Sequence, residues 1–208
     1  MANTTFKGTL RSEGGYSSIA TTAATGAETT QMSISSAGFA SLDANKLATE
    51  AGTGITGGTG TIYRSSVIRE GGIIKTSILI DLTGLRSTAS GDIIGVDGTS
   101  NVCHIGQITA ARNGTILAGR MTCFEAPAGG DPDINVHSAT EGTGVEDGAI
   151  SGLTETILVD SGDLAIGTIV TFTGVPAADE FLYLTLGATT NADYTAGKLL
   201  IELFGYEA

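Results

Sequence analysis

Between Thr61 and Leu82 the chain reads TIYRSSVIREGGIIKTSILIDL, two β-branched runs joined by Gly71 and Gly72. Two glycines between such runs predict a β-hairpin, because a two-residue hairpin turn needs positive φ at its centre. The second run continues as IIKTSILIDLTGL and is nearly unbroken in its apolar residues. That pattern predicts a central strand covered on both faces, or a strand with one face against a partner subunit. A sheet edge left open invites aggregation, and contacts between subunits are one way of covering it.

The same vocabulary fills the rest of the chain. DIIGV is followed by the turn DGTSN, and VCHIGQIT and TILAGRMTCFE flank AARNG, which predicts a second hairpin turning at Asn113-Gly114. PAGGDPDINVHSATEGTGVEDGAISG reads as a long loop, and LTETILV, LAIGTIVTFTG, FLYLTL and KLLIELFGY complete eight or nine strands. Glycine, Asp and Asn punctuate them, and no βαβ spacing occurs. The expected fold is all-β, an antiparallel β-sandwich or jelly-roll-like domain over 59–208 preceded by an extended N-terminal arm over 1–58. The arm is rich in Thr, Ala, Ser and Gly and has no sustained period. One short helix is expected around Leu42 to Glu50, capped by Ser41 or Asp43, and otherwise the arm depends on something else to order it. TGITGGTG closes it as a flexible joint. With 31 glycines, few aromatics and no Trp, the core is thin, and neighbouring subunits are expected to supply part of the stability.

Charge is unevenly placed. Residues 1–70 hold five basic and five acidic residues, 71–120 four against three, and 121–208 only Lys198 against fourteen acids. A net charge of −12 argues against nucleic acid, whose phosphates need clustered Lys and Arg. The asymmetry points either to two faces with different neighbours or to an acidic surface that only aids solubility. No stretch is long and apolar enough to span a membrane, and no apolar signal core follows a basic start, so export is not expected. The sequons at Asn3 and Asn113 carry no weight without export.

Chemistry is sparsely represented. His104 adjoins Cys103 in an expected strand, where neighbours point to opposite faces and cannot share a ligand sphere. His137 falls in the acidic loop as a surface residue. Reflection through Asn113 would set Cys103 against Cys123 across a three-residue hairpin loop. A disulfide there is geometrically demanding, and two reduced, buried thiols are expected. Carboxylates gather in GGDPDIN, EGTGVEDG and DSGD. They allow an acid pair for glycoside hydrolysis or oxygen ligands for calcium. Neither has a motif, and Asp131 and Asp133 around Pro132 read first as a rigid turn. There is no GxSxG, no Walker loop and no GxGxxG between a strand and a helix, and glycine motifs such as GTGITGGTG lack the following helix that would bind a phosphate. Phe181, Tyr183, Tyr194, Phe204 and Tyr206 allow stacking on sugars, although Phe181 and Tyr183 more simply line one sheet face. No catalytic, cofactor or metal residue is assigned.

FKGTLRSEGGY at the amino terminus resembles a Phe-x-Gly-x-[Leu/Val]-Arg-Ser signature of small virion proteins of tailed bacteriophages. REGGIIKTSILIDLTGL, GGDPDINVHSATEGTGVEDGAISGL and YTAGKLLIELFGYE likewise resemble phage structural proteins of marine and cyanobacterial phages. The resemblance implies a capsid decoration or cement protein, a homotrimer assembled in the host cytoplasm. It would bind the major capsid protein on the outer head surface and bridge capsomers, without enzymatic activity or cofactor. On that view Phe6, Leu10 and Tyr16 anchor the arm by apolar contact while Lys7 and Arg11 pair with acidic groups of the shell. Two alternatives remain: a head- or tail-fibre module that recognises host carbohydrate, and, last, a polysaccharide-degrading enzyme. A fibre would carry repeats or a coiled-coil shaft, and this chain has neither.

Overall fold

The computed structural model describes residues 49–188 and 192–207 together with three strands nearer the amino terminus. The chain divides into two units, Met1–Leu47 and Ala48–Ala208. In the first, β1 (Tyr16–Thr21), β2 (Glu28–Ile34) and β3 (Ala40–Leu42) form an antiparallel sheet in that order.

The second unit, the body, begins its strands with the expected hairpin. β4 (Tyr63–Glu70) and β5 (Ile73–Asp81) pair in register from Tyr63–Ile80 to Glu70–Ile73. Gly71 and Gly72 take φ of 58° and 85°, the double positive that a tight hairpin turn of matching twist requires. There follow β6 (Arg86–Ser87), β7 (Gly106–Gln107), β8 (Thr115–Ala128), β9 (Ile134–Ala139), β10 (Glu155–Val159), β11 (Ile169–Thr171), β12 (Phe181–Leu186), β13 (Ala192–Asp193) and β14 (Ala196–Tyr206). The order β11-β8-β14-β5-β4 makes a five-stranded sheet and β10-β9-β12-β7 a four-stranded one, with β13-β6 as a two-stranded ribbon. All pairings are antiparallel, so the body is all-β and built on two sheets.

One apolar core lies between those sheets. From the five-stranded sheet come Ile78, Ile80, Met121, Cys123, Leu199, Ile201 and Leu203; from the other, Ile134, Val136, Leu182, Leu184 and Leu186. Fully burying each such side chain contributes about 1.5–3 kcal/mol. β9 and β12 are buried along almost their whole length. On the opposite face of that sheet lie the turns around Gly142 and Gly144, where a Cβ would meet Phe181 and, with Ile93, Tyr183. DIIGV runs beside β12 through one isolated bridge, Ile93 opposite Thr185, and is too irregular to be a strand.

Several expectations are corrected. AARNG is not a hairpin turn: Ala110–Asn113 is one helical turn that carries the chain from β7 in one sheet to β8 in the other. Asn113 is fully buried, its Nδ2 donating to Thr76 Oγ1 at 2.7 Å and its Oδ1 accepting from Thr109 N at 2.9 Å. Gly114, φ 68°, supplies the positive φ expected of the turn. Cys103 and Cys123 are therefore not cross-strand neighbours; Cys123 faces Leu199 instead. The loop expected from Pro127 onward contains β9. TGITGGTG is no joint, since residues 49–58 belong to the body rather than the arm. Ile55 is fully buried, Gly52 N donates to His104 O and Gly54 N to Val102 O. The described part of the expected helix is not helical: Ser41 and Leu42 lie in β3, Thr49 and Glu50 are irregular, and 43–48 lie outside the described residues.

Both cysteines are free and buried, as expected. Cys103 is wedged between two glycines; a Cβ at Gly54 would stand 2.4 Å from its sulfur and one at Gly95 2.3 Å. Burial pushes its thiol up to about 12 and raises that of Cys123. Neither thiol should react with Ellman's reagent in the native protein at pH 8, and both should react once it is unfolded in denaturant. Rapid native labelling would show that the packing around Gly54 and Gly95 opens.

Candidate functional site

The expected anchors Phe6, Lys7, Leu10 and Arg11 lie outside the described residues. Tyr16 opens β1 opposite Ile34. The surface that the described residues do build is the outer face of the five-stranded sheet.

Alternation decides which side chains reach it. Along β5, Ile74, Thr76, Ile78 and Ile80 are buried while Lys75, Ser77 and Leu79 stay partly exposed. Directly opposed residues of an antiparallel pair share a face, so the register places the outward set in rows. Glu70, Ile73, Tyr206 and Thr115 form one; Ile68, Lys75, Phe204 and Ala118 the next. Ser66, Ser77, Glu202, Arg120 and Thr171 come third, then Arg64, Leu79, Leu200, Thr122 and Ile169. Asp81, Lys198 and Glu125 close the series. Two irregularities in β8 skip Leu117 and Phe124 in the pairing with β14. An extra residue in one strand bends it and re-aims its side chain, and both residues are exposed, at 61% and 51%. With Ile68 and Ile169 also more than half exposed, the face is markedly aliphatic.

At its centre sits Glu202. Its side chain is only 3% exposed because Lys75 and Arg120 close over it. Arg120 Nε donates to Glu202 Oε2 at 2.6 Å, Lys75 pairs with Oε1, and the Arg120 guanidinium lies 5.9 Å from the Phe204 ring centroid. Burial alone would raise the Glu202 carboxyl; the Arg120 and Lys75 partners outweigh it and hold the group below the ordinary glutamate range. In the last row Lys198 Nζ reaches Asp81 Oδ2 at 3.2 Å and pairs with Glu125. Six charged residues of this face, Lys75, Arg120, Glu202, Lys198, Asp81 and Glu125, thus find opposite partners within the chain.

A second polar cluster lies around Arg86. Its Nη1 donates to Asp97 Oδ1 at 2.9 Å, with Glu146 Oε1 and Asp193 Oδ1 both 3.8 Å from Nε. The Glu146 side chain is 5% exposed. Its Oε1 and the Oδ1 of Asp147 are both buried without a hydrogen-bond partner. Burial first, then the neighbouring Asp147, pushes the Glu146 carboxyl up to about 7. A proton shared between two carboxylates satisfies both orphaned oxygens, the usual outcome when like charges are held together. Asp147 itself occupies φ 57°, held there as its N–H donates to Ile93 O.

The remaining candidates fall elsewhere. His137 is not a loop residue at the surface; it lies in β9, 7% exposed, with Nδ1 2.7 Å from Glu155 Oε2. The alternation of INVHSA, hidden among turn-forming neighbours, was the signal for that strand. The His104 ring lies 5.1 Å from that of Phe181, tilted by 57°, and edge-on to Tyr183 at 6.5 Å, and burial holds its pKa below the ordinary value. Phe181 and Tyr183 do line one face, as expected. Asp131 caps its own turn, Oδ1 accepting from Asp133 N at 3.0 Å. Among the described residues no group of three or more His, Cys, Asp or Glu side chains is placed to hold a metal ion, and no helix is long and apolar enough to cross a membrane.

The two buried glutamates titrate with opposite sign. Glu202 is depressed when folded, so its stabilisation is present above the ordinary glutamate range and is lost as pH falls through the folded pKa. Glu202→Gln should cost about 1.5–3 kcal/mol at pH 7, and the deficit should shrink in acid; a pH-independent deficit in denaturant titrations would refute the ionic account. Glu146 is raised when folded, so the native state is increasingly penalised as pH rises through about 7. Glu146→Gln should gain about 1–3 kcal/mol on the wild type between pH 5 and pH 8. No gain would mean that the proton is not held there.

Compared with protein-family models, with curated proteins and with solved structures, the chain matches none of them.

Proposed function

We propose that this chain is a structural component of a phage virion, a decoration protein that binds the outer head surface and stabilises the shell by bridging capsomers. The observation that carries the reading is the outer face of the five-stranded sheet. It is broad, aliphatic and internally neutralised, the kind of surface that lends area to an assembly rather than one that gathers reactive groups in a cleft. The likeness of FKGTLRSEGGY to a virion-protein signature gives the partner class, the major capsid protein.

In this reading the N-terminal unit is the attachment device. Ordering a segment costs about 1–2 kcal/mol per residue, so only an extended surface offsets it, and several arms on one assembly raise the effective concentration of each. Phe6, Leu10 and Tyr16 supply apolar contact, and Lys7 and Arg11 meet acidic groups on the shell.

Quantitative mass spectrometry of purified particles should give a copy number comparable with that of the major shell protein. A few copies per particle would overturn the decoration role and favour a fibre, whose glycan binding an array would detect. For the arm, truncation belongs after Leu47, because Ile55 is core. The chain lacking 1–47 should keep its β circular dichroism yet lose at least about tenfold in particle occupancy. Undiminished occupancy would exclude the arm as the anchor.

A further inference from the structure

IIKTSILIDL reads as a strand covered on both faces, yet among the described residues only one face of β5 is covered. The other belongs to the outer sheet face, and charge separates that face from the rest of the molecule. Four basic residues (Arg64, Lys75, Arg120, Lys198) and four acidic ones (Glu70, Asp81, Glu125, Glu202) lie in its rows, a balance of zero. The remainder of the body, from residue 48 onward, holds three basic and fifteen acidic residues, a balance of −12. Residues 1–47 hold three of each. The whole net charge of the protein is therefore carried by the body away from this face.

We infer that copies of this chain pack against one another through the outer face of the five-stranded sheet. Another copy brings the same −12, so contact through the acidic surfaces sets like charges together at short range. Packing through the neutral face keeps them apart. Stacked sheets lie about 10 Å from one another, already beyond the Debye length of about 8 Å at physiological salt. The area is adequate. Strands of eight to fourteen residues, at about 4.8 Å spacing and 3.4 Å per residue, give four long strands a footprint of about 700 Å². β11 adds to it, and stable interfaces take about 600–1,000 Å² per partner.

The chemistry also suits drying. Burying an unpaired charge is strongly unfavourable, but Glu202 brings both of its partners from its own chain and Lys198 is likewise paired. The charges at the centre of the face are therefore not stranded by closing it, and Arg64 and Glu70 lie on its edge strand β4. Phe204 beneath Arg120 and the exposed Ile68, Leu117, Phe124 and Ile169 match the aromatic, arginine and aliphatic make-up of interface centres. The inference rests on the sheet alone and not on the virion reading.

Sedimentation equilibrium of the full chain tests it. The wild type should have a mass at least twice 20.9 kDa, the mass of one chain. Its dissociation constant should tighten severalfold from 0.05 to 0.5 M NaCl as the residual −12 against −12 repulsion is screened. Ile68→Glu with Ile169→Glu, both on residues more than half exposed and so harmless to folding, should weaken association at least a hundredfold. Hydroxyl-radical footprinting should show Leu117 and Phe124 protected in proportion to protein concentration. A wild type that is monomeric throughout, or an oligomer indifferent to the double variant, overturns the inference. So does protection that persists in the monomer, which would mean that residues 1–47 of the same chain cover the face. An assembly formed through this face by a chain missing from virions would leave the inference standing and remove the decoration role.

Discussion

The register of β14 between β5 and β8 is the constraint on which the body depends. β14 pairs with β5 over nine consecutive residues, Lys198 to Tyr206, and with β8 along its other edge. In that register Leu199, Ile201 and Leu203 enter the core while Lys198, Leu200, Glu202 and Phe204 face outward. A slip of one residue would exchange the two sets. Glu202 and Lys198 would then enter an apolar interior without Lys75, Arg120 or Asp81, at several kcal/mol for each stranded charge. Glu202 thus does more than decorate the sheet. Its two cations come from the strands on either side, Lys75 from β5 and Arg120 from β8, so one carboxylate fixes three strands against each other.

Legibility in the sequence follows how local the deciding interaction is. The β4–β5 hairpin was readable because the Gly71-Gly72 turn and its flanking runs contain their own explanation. KLLIELFGY and FLYLTL were readable for the same reason. AARNG misled because its deciding contact is remote: Asn113 turns inward to bond Thr76, 37 residues away, and the helical turn it ends joins two different sheets. TGITGGTG looked like a joint because glycine usually confers freedom. Here its glycines are small for the opposite reason: a Cβ at Gly54 would lie 2.4 Å from Cys103 Sγ and 2.6 Å from Asn101 O. His137 was read into a loop because turn-forming residues on both sides masked a six-residue strand.

The charge asymmetry was visible as a difference between halves of the sequence, but the fold does not keep halves together. β14 comes from the acidic stretch, yet it contributes Lys198 to the neutral face, and β8, which straddles the boundary at residue 121, contributes both Arg120 and Glu125. Strand order disperses what the linear count had grouped, and most of the acids left over lie in turns and loops. The Arg86 cluster shows that crowding locally. Asp97, Glu146, Asp147 and Asp193 all bear on one guanidinium, and burial together with the neighbouring Asp147 raises the Glu146 carboxyl.

The groups that chemistry would need are mostly engaged in structure. Tyr183 donates to Glu141 O and accepts from Gly144 N, Tyr194 donates to Asp131 O, and Tyr63 donates to Ile105 O. His137 is bound to Glu155 and Asp131 to its own turn. The Tyr63 and Tyr183 bonds tie loops to strands, the His137 bond ties two strands together, and each bond restrains a group that acid–base work would have to release. The aliphatic side chains on the outer face have no such employment: Leu117, Phe124 and Ile169 sit in water, at about 25 cal/mol per Å² of apolar surface. In a body with so few aromatics, keeping that much apolar area outside the core favours an exterior that finds its packing in another molecule.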